Sequence, residues 1–344
     1  MFSLHTEICG TERLRSLGAR RVFIVADPFF VKNGQAARFA ELAGGEYQIF
    51  DGVRPDPDLH CIAAGLALLE PFDPDLLIAL GGGSAIDCAK GMLAMAEKRP
   101  RFAAIPTTSG TGSEVTAFAV LTHDGVKHPL VDPRLRPDLA ILDESLLENL
   151  PAGLIADAGM DVLTHCAEAV AAKHASGFST ALAAGAFRMA LELLPKSFAG
   201  DRSVRAVLHE AATMAGAAFD QAGLGACHAL AHAVGGRFHV PHGKLGGIFL
   251  PHVITFNAQV CPGPYEALAA ACGIHGLGGL LAALSRLRRQ LKLPTTLTQA
   301  GLARSVVLEA ADTLAEAAVQ DPCAATNPRP LEGQEAKKLL LEAL

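Results

Sequence analysis

Hydrophobic positions in the first part of the chain fall into short unbroken blocks, each separated from the next by a stretch of helical spacing. Residues 21–27 are a β-branched and aromatic run that ends in a carboxylate, with Pro28 behind it, the pattern of a strand buried on both faces. Residues 35–43 are spaced as a helix and 47–51 as a second strand. The turn-rich segment 52–57 follows, and 60–70 repeat apolar positions at helical spacing. A third strand, 75–80, runs directly into Gly81-Gly82-Gly83-Ser84. It leads to a helix over 85–97 and a fourth strand over 102–106. Strands alternating with helices in this way predict βαβ units and a parallel sheet. After Leu150-Pro151 the strand signals fade. Ala-, Leu- and Glu-rich helical stretches then continue from 156–170 through to 336–344. The change of pattern places a domain boundary near 145–152, giving an α/β domain over 1–148 and an all-helical domain over 149–344, with no low-complexity linker and no internal repeat.

Composition narrows the class. The 344 residues are 50% hydrophobic, yet no uninterrupted apolar run approaches the ~20 residues that span a bilayer. The start of the chain has neither a basic region nor an apolar core, so no secretion signal is expected. Eight cysteines are scattered without a CxxC pair and read as reduced thiols of a cytoplasmic protein. A net charge of −6 without a basic cluster argues against nucleic acid and anionic membrane as partners. Trp is absent and Tyr occurs twice, which leaves little for an aromatic stacking platform.

Two groups of residues carry candidate chemistry. In the first part, Gly81 to Ser84 lie between a strand and a helix, where glycines permit close backbone approach and helix-start amides favour a pyrophosphate. The motif is neither GxGxxG nor a P-loop, and a plain strand-to-helix turn is the alternative. Thr107 to Ser113 place five hydroxyl side chains in seven residues after the fourth strand, at the end where open α/β sheets bind ligands. Asp27 also ends a strand; a carboxylate there suits ribose hydroxyls and favours NAD over NADP, or it serves as an ordinary cap.

In the second part, 223–242 hold four histidines, His228, His232, His239 and His242. His228 and His232 are four apart and share a helix face. Gly235-Gly236 are expected to end that helix, and Pro241 to set up a turn that brings His242 back over it. Asp161 and His165 form a second pair one turn apart, a chelating arrangement or a local side-chain hydrogen bond. Asp161, His165, His228 and His242 together would offer one oxygen and three nitrogens to a borderline transition metal, with a position left for substrate or water.

Together these stretches resemble the iron-containing (group III) alcohol dehydrogenases. The matching segments are 81–90, 104–116, 137–143, 159–165, 222–243 and 250–253, in the family's order over nearly the whole chain. Residues 2–4 and 326–330 further resemble the propanol dehydrogenases of propanediol-utilisation microcompartments. The resemblance implies a Rossmann-like N-terminal domain and an all-α C-terminal domain, the fold shared with dehydroquinate synthase, with the active site in the cleft between them. It implies Fe²⁺ (with Zn²⁺ as the alternative) at Asp161, His165, His228 and His242, and NAD on Asp27, Gly82, Gly83, Ser84, Thr107 and Thr108, with Lys127 close to the cofactor. It makes His232 a proton-relay residue beside the metal and not a ligand.

The expected activity is interconversion of a short-chain primary alcohol and its aldehyde, for example 1-propanol and propionaldehyde. A polyol or butanol dehydrogenase of the same family is the near alternative. A dehydroquinate-synthase-type lyase would need a basic pocket, and the metal-bearing segments hold little Lys or Arg. From another class, a non-catalytic microcompartment protein that kept the fold would have no need of the four ligands. A homodimer or higher homo-oligomer is expected, with microcompartment cargo or shell proteins as further partners. The chain departs from the family pattern in abbreviated segments before Asp27 and around 273–293. It also carries Lys244 where an apolar residue is usual, and 335–344 form a short amphipathic helix in this reading.

Overall fold

A computed structural model describes residues 3–123 and 126–344; Phe2, part of the N-terminal segment compared with the propanol dehydrogenases, lies outside the described residues. The chain divides into two compact units, 3–149 and 150–344.

The first unit contains, in order, β1 (Glu7–Cys9), α1 (Glu12–Arg15), β2 (Arg21–Ala26), α2 (Pro28–Lys32), α3 (Gln35–Ala43), β3 (Glu46–Phe50), α4 (Leu59–Phe72), β4 (Leu76–Gly81), α5 (Gly83–Met95), β5 (Arg101–Pro106), β6 (Phe118–His123), β7 (Val126–Val131) and β8 (Leu139–Ile141). Six of these strands form a parallel sheet in the order β1-β8-β5-β4-β2-β3, while β6 and β7 pair antiparallel as a separate ribbon. The continuous apolar runs in β2 and β4 have the expected cause: every residue of β4, and all but the first of β2, is buried. Alternate residues serve opposite faces. Phe23, Val25, Leu77 and Ala79 pack with α4 and α5, and Val22, Ile24, Ile78 and Leu80 pack with α3. The pattern did not predict β1, the β6–β7 ribbon or β8, which are three residues long or half-exposed and carry little periodicity.

Topology fixes where a ligand belongs. The chain passes from β2 outward to β3, then returns to place β4 on the other side of β2. The carboxyl ends of β2 and β4 are therefore a switch point, the position at which open parallel sheets bind their ligands. Asp27 and Gly81 meet there, with the Asp27 amide donating to the Leu80 carbonyl at 3.1 Å.

The second unit is helical: α6 (Ala152–Ala171), α7 (Gly177–Phe198), α8 (Arg205–Ala222), α9 (Ala226–Phe238), α10 (His242–Ala258), α11 (Gly263–Ala271), α12 (Gly276–Gln290), α13 (Arg304–Gln320), α14 (Pro322–Ala325) and α15 (Gly333–Glu342). Helix α6 is its axis, buried at every position from Gly159 to Ala171, and it packs on α7, α8, α10 and α11. Helix α15 docks on α13 and α10 through Ala336, Leu339 and Leu340, so the C-terminal amphipathic segment is part of the core. Among the described residues no single helix is long and apolar enough to cross a membrane.

One expectation is corrected. Helix α9 does not stop at Gly235-Gly236; it continues to Phe238, and His239 closes it in a left-handed conformation (φ 55°). Both glycines are buried, and a Cβ on Gly235 would lie 3.2 Å from a Leu245 methyl. Close packing against α10 accounts for the glycine, and tertiary contact overrides its helix-breaking tendency. His239 is exposed and takes no part in the histidine cluster.

Candidate metal centre and the glycine and hydroxyl loops

Asp161, His165 and Glu168 lie at positions i, i+4 and i+7 of α6 and so share one face of a buried helix. His228 and His232 share a face of α9, and Pro241 caps α10 so that His242 is its first residue. Gly243 makes the α6–α10 approach possible, because a Cβ there would lie 1.9 Å from the Asp157 carbonyl oxygen.

Three imidazoles converge on one carboxylate oxygen. Asp161 Oδ1 is 3.5 Å from His242 Nε2, 3.9 Å from His228 Nε2 and 3.9 Å from His165 Nε2. The ligating atoms of Asp161, His228 and His242 all lie within 4.8 Å of one another. His165 stands outside that triad, its ring stacked on Phe219 at 4.4 Å and on His228 at 4.7 Å. Asp161 Oδ1 and His228 Nε2 are buried with no hydrogen-bond partner among the described residues. Leaving two such atoms unsatisfied costs roughly 1–3 kcal/mol each. Tetrahedral ligands on an ion at ~2.1 Å are separated by about 3.4 Å, close to the spacings here. One oxygen and three imidazole nitrogens suit iron or zinc, so the residues present fit the metal. His242 is the open side, with 27% of its side chain exposed.

Carboxylates behind the histidines were not anticipated. Glu168 Oε2 lies 2.5 Å from His228 Nδ1, while its other oxygen accepts the Cys227 amide at 2.6 Å. Asp321 Oδ2 lies 2.8 Å from His232 Nδ1, and Asp321 Oδ1 accepts the Cys323 amide at 2.8 Å. Hydrogen bonds of this kind set ring tautomer and orientation. Burial pushes the Asp161 carboxyl up to about 6, against the opposing pull of His228. For His228 burial acts to lower the imidazole, but the neighbouring Glu168 carboxylate, helped by Asp161 and Asp321, turns the net direction upward. Burial likewise acts to raise Asp321, and the bonds from His232 and Cys323 outweigh it and hold the carboxyl down. Cys323 also lies within reach of this dyad, but burial holds its thiol well above the ordinary range. Asn327 anchors the start of α9: its side-chain oxygen accepts the Ala226 amide and the Asn257 amide group, both at 3.0 Å. A Cβ on Gly225 would lie 2.6 Å from that oxygen, so the helix start and the asparagine meet at glycine distance. Glu168 was visible as an acid in an apolar helix, seven residues from Asp161. Asp321 gave no signal, because 89 residues separate it from His232.

In the first unit the glycine turn and the hydroxyl loop lie against each other. Gly82 caps α5 and Gly83 and Ser84 form its first turn, so their amides stand at the helix start. A Cβ on Gly82 would meet Thr108 Oγ1 at 3.4 Å, and one on Gly83 would meet Thr111 at 3.0 Å. Thr107 is buried and donates its amide to the Gly81 carbonyl at 3.0 Å; Thr108 is half-buried beside it. Asp27 caps α2, its Oδ1 accepting the Phe29 amide at 2.8 Å, so the capping role is real whatever else the carboxylate does. Lys127 pairs with Asp56 at 2.7 Å. Lys90 is the residue that the sequence reading missed: fully buried, its Nζ lies 2.7–3.2 Å from five oxygens of Ser113, Thr116 and Phe118 and so pins the hydroxyl loop to α5.

Comparison with known proteins places this geometry in a family. The model described as "Iron-containing alcohol dehydrogenase" matches residues 10–144, and "Fe-containing alcohol dehydrogenase family, C-terminal" matches 155–344. The chain belongs to the iron-containing alcohol dehydrogenases. It is therefore an oxidoreductase acting on alcohols, with the fold of that family. The 1-propanol dehydrogenase of Salmonella typhimurium is 36% identical, with 100% of this chain and 99% of the relative covered. The NADPH-dependent butanol dehydrogenase of Clostridium saccharobutylicum is 36% identical over 95% of this chain and 92% of its own. Among solved structures, the iron-containing alcohol dehydrogenase of Thermococcus thioreducens superposes with a TM-score of 0.92 at 34% identity, covering 100% of this chain and 99% of that one. A 1,3-propanediol oxidoreductase superposes at 0.93 with 31% identity and complete coverage of both chains.

Proposed function

We propose that this enzyme interconverts a short-chain primary alcohol and its aldehyde, with 1-propanol and propionaldehyde as the leading pair, using NAD(H) and a divalent iron. The observation that carries the reading is the convergence of His165, His228 and His242 on Asp161 Oδ1, with two of the buried donor atoms otherwise unbonded. Asp161, His228 and His242 would hold the ion, with His165 as the fourth donor. When bound, iron supplies Lewis acidity toward the substrate oxygen, and NAD(H) supplies the hydride acceptor or donor.

The chain's own residues do the rest. Helix-start amides of Gly83 and Ser84 would bind the pyrophosphate, and Thr107 and Thr108 would line its path toward the nicotinamide. Asp27, at the switch point, favours a ribose hydroxyl over a 2′-phosphate, although one relative is named as NADPH-dependent. Lys127, paired with Asp56, would contribute positive charge on the same side. The Asp321 carboxylate accepts from His232 Nδ1, which leaves Nε2 to take the alcohol proton, through water or the ribose hydroxyl, on oxidation and to return it on reduction. The propanol dehydrogenase relatives support a place in a bacterial microcompartment, and self-association into a dimer or larger homo-oligomer belongs to the same reading.

The test is anaerobic oxidation of NADH, with NADPH in parallel, by propionaldehyde and by longer and hydroxylated aldehydes, on protein loaded separately with Fe²⁺ and Zn²⁺. Turnover with iron and NADH that disappears in an Asp161→Ala/His242→Ala variant is the expected result. Silence with either metal, in protein that still binds NADH, would sink the assignment of substrate and metal together.

A further inference from the structure

All eight cysteines are free thiols, but two of them are placed for something more. Cys61 in the first turn of α4 and Cys88 in α5 bring their sulfurs to 3.5 Å across a buried interface, 27 residues apart in sequence. The helices already cross at glycine distance on that face. A Cβ on Gly65 of α4 would lie 1.8 Å from the Met92 methyl, and one on Gly91 of α5 would lie 2.6 Å from the Ile62 terminal methyl. Cys61 and Cys88 sit one helical turn from these contacts, and their sulfurs have only to close from 3.5 Å to the ~2.05 Å of a disulfide.

The two thiols are also unequal. A hydrogen bond from Cys88, helped by the backbone at Arg54, brings the Cys61 thiol down to about 7 against burial and the nearby Asp58 carboxylate. Cys88 is pushed up by that same bond and by burial.

We propose that Cys61 and Cys88 form an oxidative modification site that closes to a disulfide on exposure to a peroxide. The Cys61 thiolate attacks one peroxide oxygen, giving a sulfenic acid and hydroxide. Cys88 sulfur then attacks Cys61 sulfur, the sulfenic oxygen leaves as water with the thiol proton, and the S–S bond forms. Two thiols and one hydrogen peroxide give one disulfide and two waters, with sulfur oxidised and peroxide reduced by two electrons. The closed loop, 61–88, contains β4 and the Gly81–Ser84 turn, so the bond ties the glycine turn covalently to α4. The site stands independently of the alcohol chemistry.

The experiment treats the full chain with a few equivalents of hydrogen peroxide, with a chelator present so that iron consumes none. It is followed by alkylation, unfolding and non-reducing peptide mapping. The expected result is a fall from eight free thiols to six, with a Cys61–Cys88 linked peptide that is lighter than its parts by two hydrogens and lost on reduction. Cys88→Ser abolishes the link and leaves Cys61 trapped by a sulfenic-acid probe. If both cysteines remain alkylatable after unfolding while other thiols oxidise, or if Cys61 in Cys88→Ser resists the probe, the proposal is overturned. The wild-type map decides the matter even if a variant fails to fold.

Discussion

Glu168 and Asp321 show how much of this site rests on residues that would not touch substrate. Each bonds the Nδ1 of one histidine and spends its second oxygen on a nearby backbone amide, so neither carboxylate can swing away. Replacing Glu168 with Gln keeps the shape and removes the charge that favours His228 as a directed donor. Metal affinity should fall by about 10–100-fold, measured by competition with a chromophoric chelator. Asp321→Asn should separate the two histidines' roles. It leaves the Asp161 cluster in place, so metal content stays at the wild-type level while kcat falls by about 10²-fold with KM little changed. Metal loss in that variant would move His232 from proton transfer to ligation. The sequence offered the histidines by their spacing but not their partners, since burial of the opposing acids comes from helices distant in the chain.

Elements show a different dependence. The hydroxyl loop after β5 has no regular structure of its own apart from a short 3-10 turn, and it keeps its form because Lys90 reaches across from α5. Asp87, one turn earlier on the helix, accepts the Ser113 hydroxyl at 3.0 Å and the Val120 amide at 3.1 Å. Lys90→Met retains the stem and strands several buried oxygens and a buried acid. A loss of about 3–5 kcal/mol is expected in denaturant titration, with a raised KM for the nicotinamide cofactor.

At the opposite end of the sheet Asp75 accepts the amides of Arg20 and Arg21 at 2.9–3.1 Å, fixing the entry to β2 beside β4. Burial acts to raise its carboxyl, but these amides and Arg20 prevail and the net direction is down. A carboxyl lowered in the folded state stabilises above its unfolded pKa, and that contribution is lost as pH falls through the folded value. Asp75→Asn should thus lower stability at neutral pH, with the gap to wild type starting to close near pH 4, the unfolded carboxylate range, and gone only below the lower folded value. Its side chain is 40% exposed, so the difference should stay within about 1 kcal/mol.

For the whole molecule, the proposed metal centre gathers α6, α9 and α10, so an ion bound there would act on the stability of the 150–344 unit. Free metal at 100 times Kd adds about 2.7 kcal/mol. Chelation should therefore lower the melting temperature of wild type by several degrees and leave Asp161→Ala unchanged; an equal response in both would place the stabilising ion elsewhere.

Much of this architecture was legible beforehand. The runs in β2, β4 and β5 are apolar throughout because both faces of a parallel sheet are covered, and α3 was read to the residue because its amphipathic period is unbroken. The order of glycine turn, hydroxyl loop and paired histidines also points to the family from the sequence alone. Those features are local, set by spacing along one element or one turn. Other facts needed the folded chain: that α9 runs through Gly235-Gly236, that Gly243 admits α10 to α6, that Lys90 holds the loop, that Glu168 and Asp321 stand behind the histidines, and that Cys61 faces Cys88. Each depends on two segments meeting across the core. A residue's helical or strand period tells which side is buried; only the packed partner decides what it is buried against.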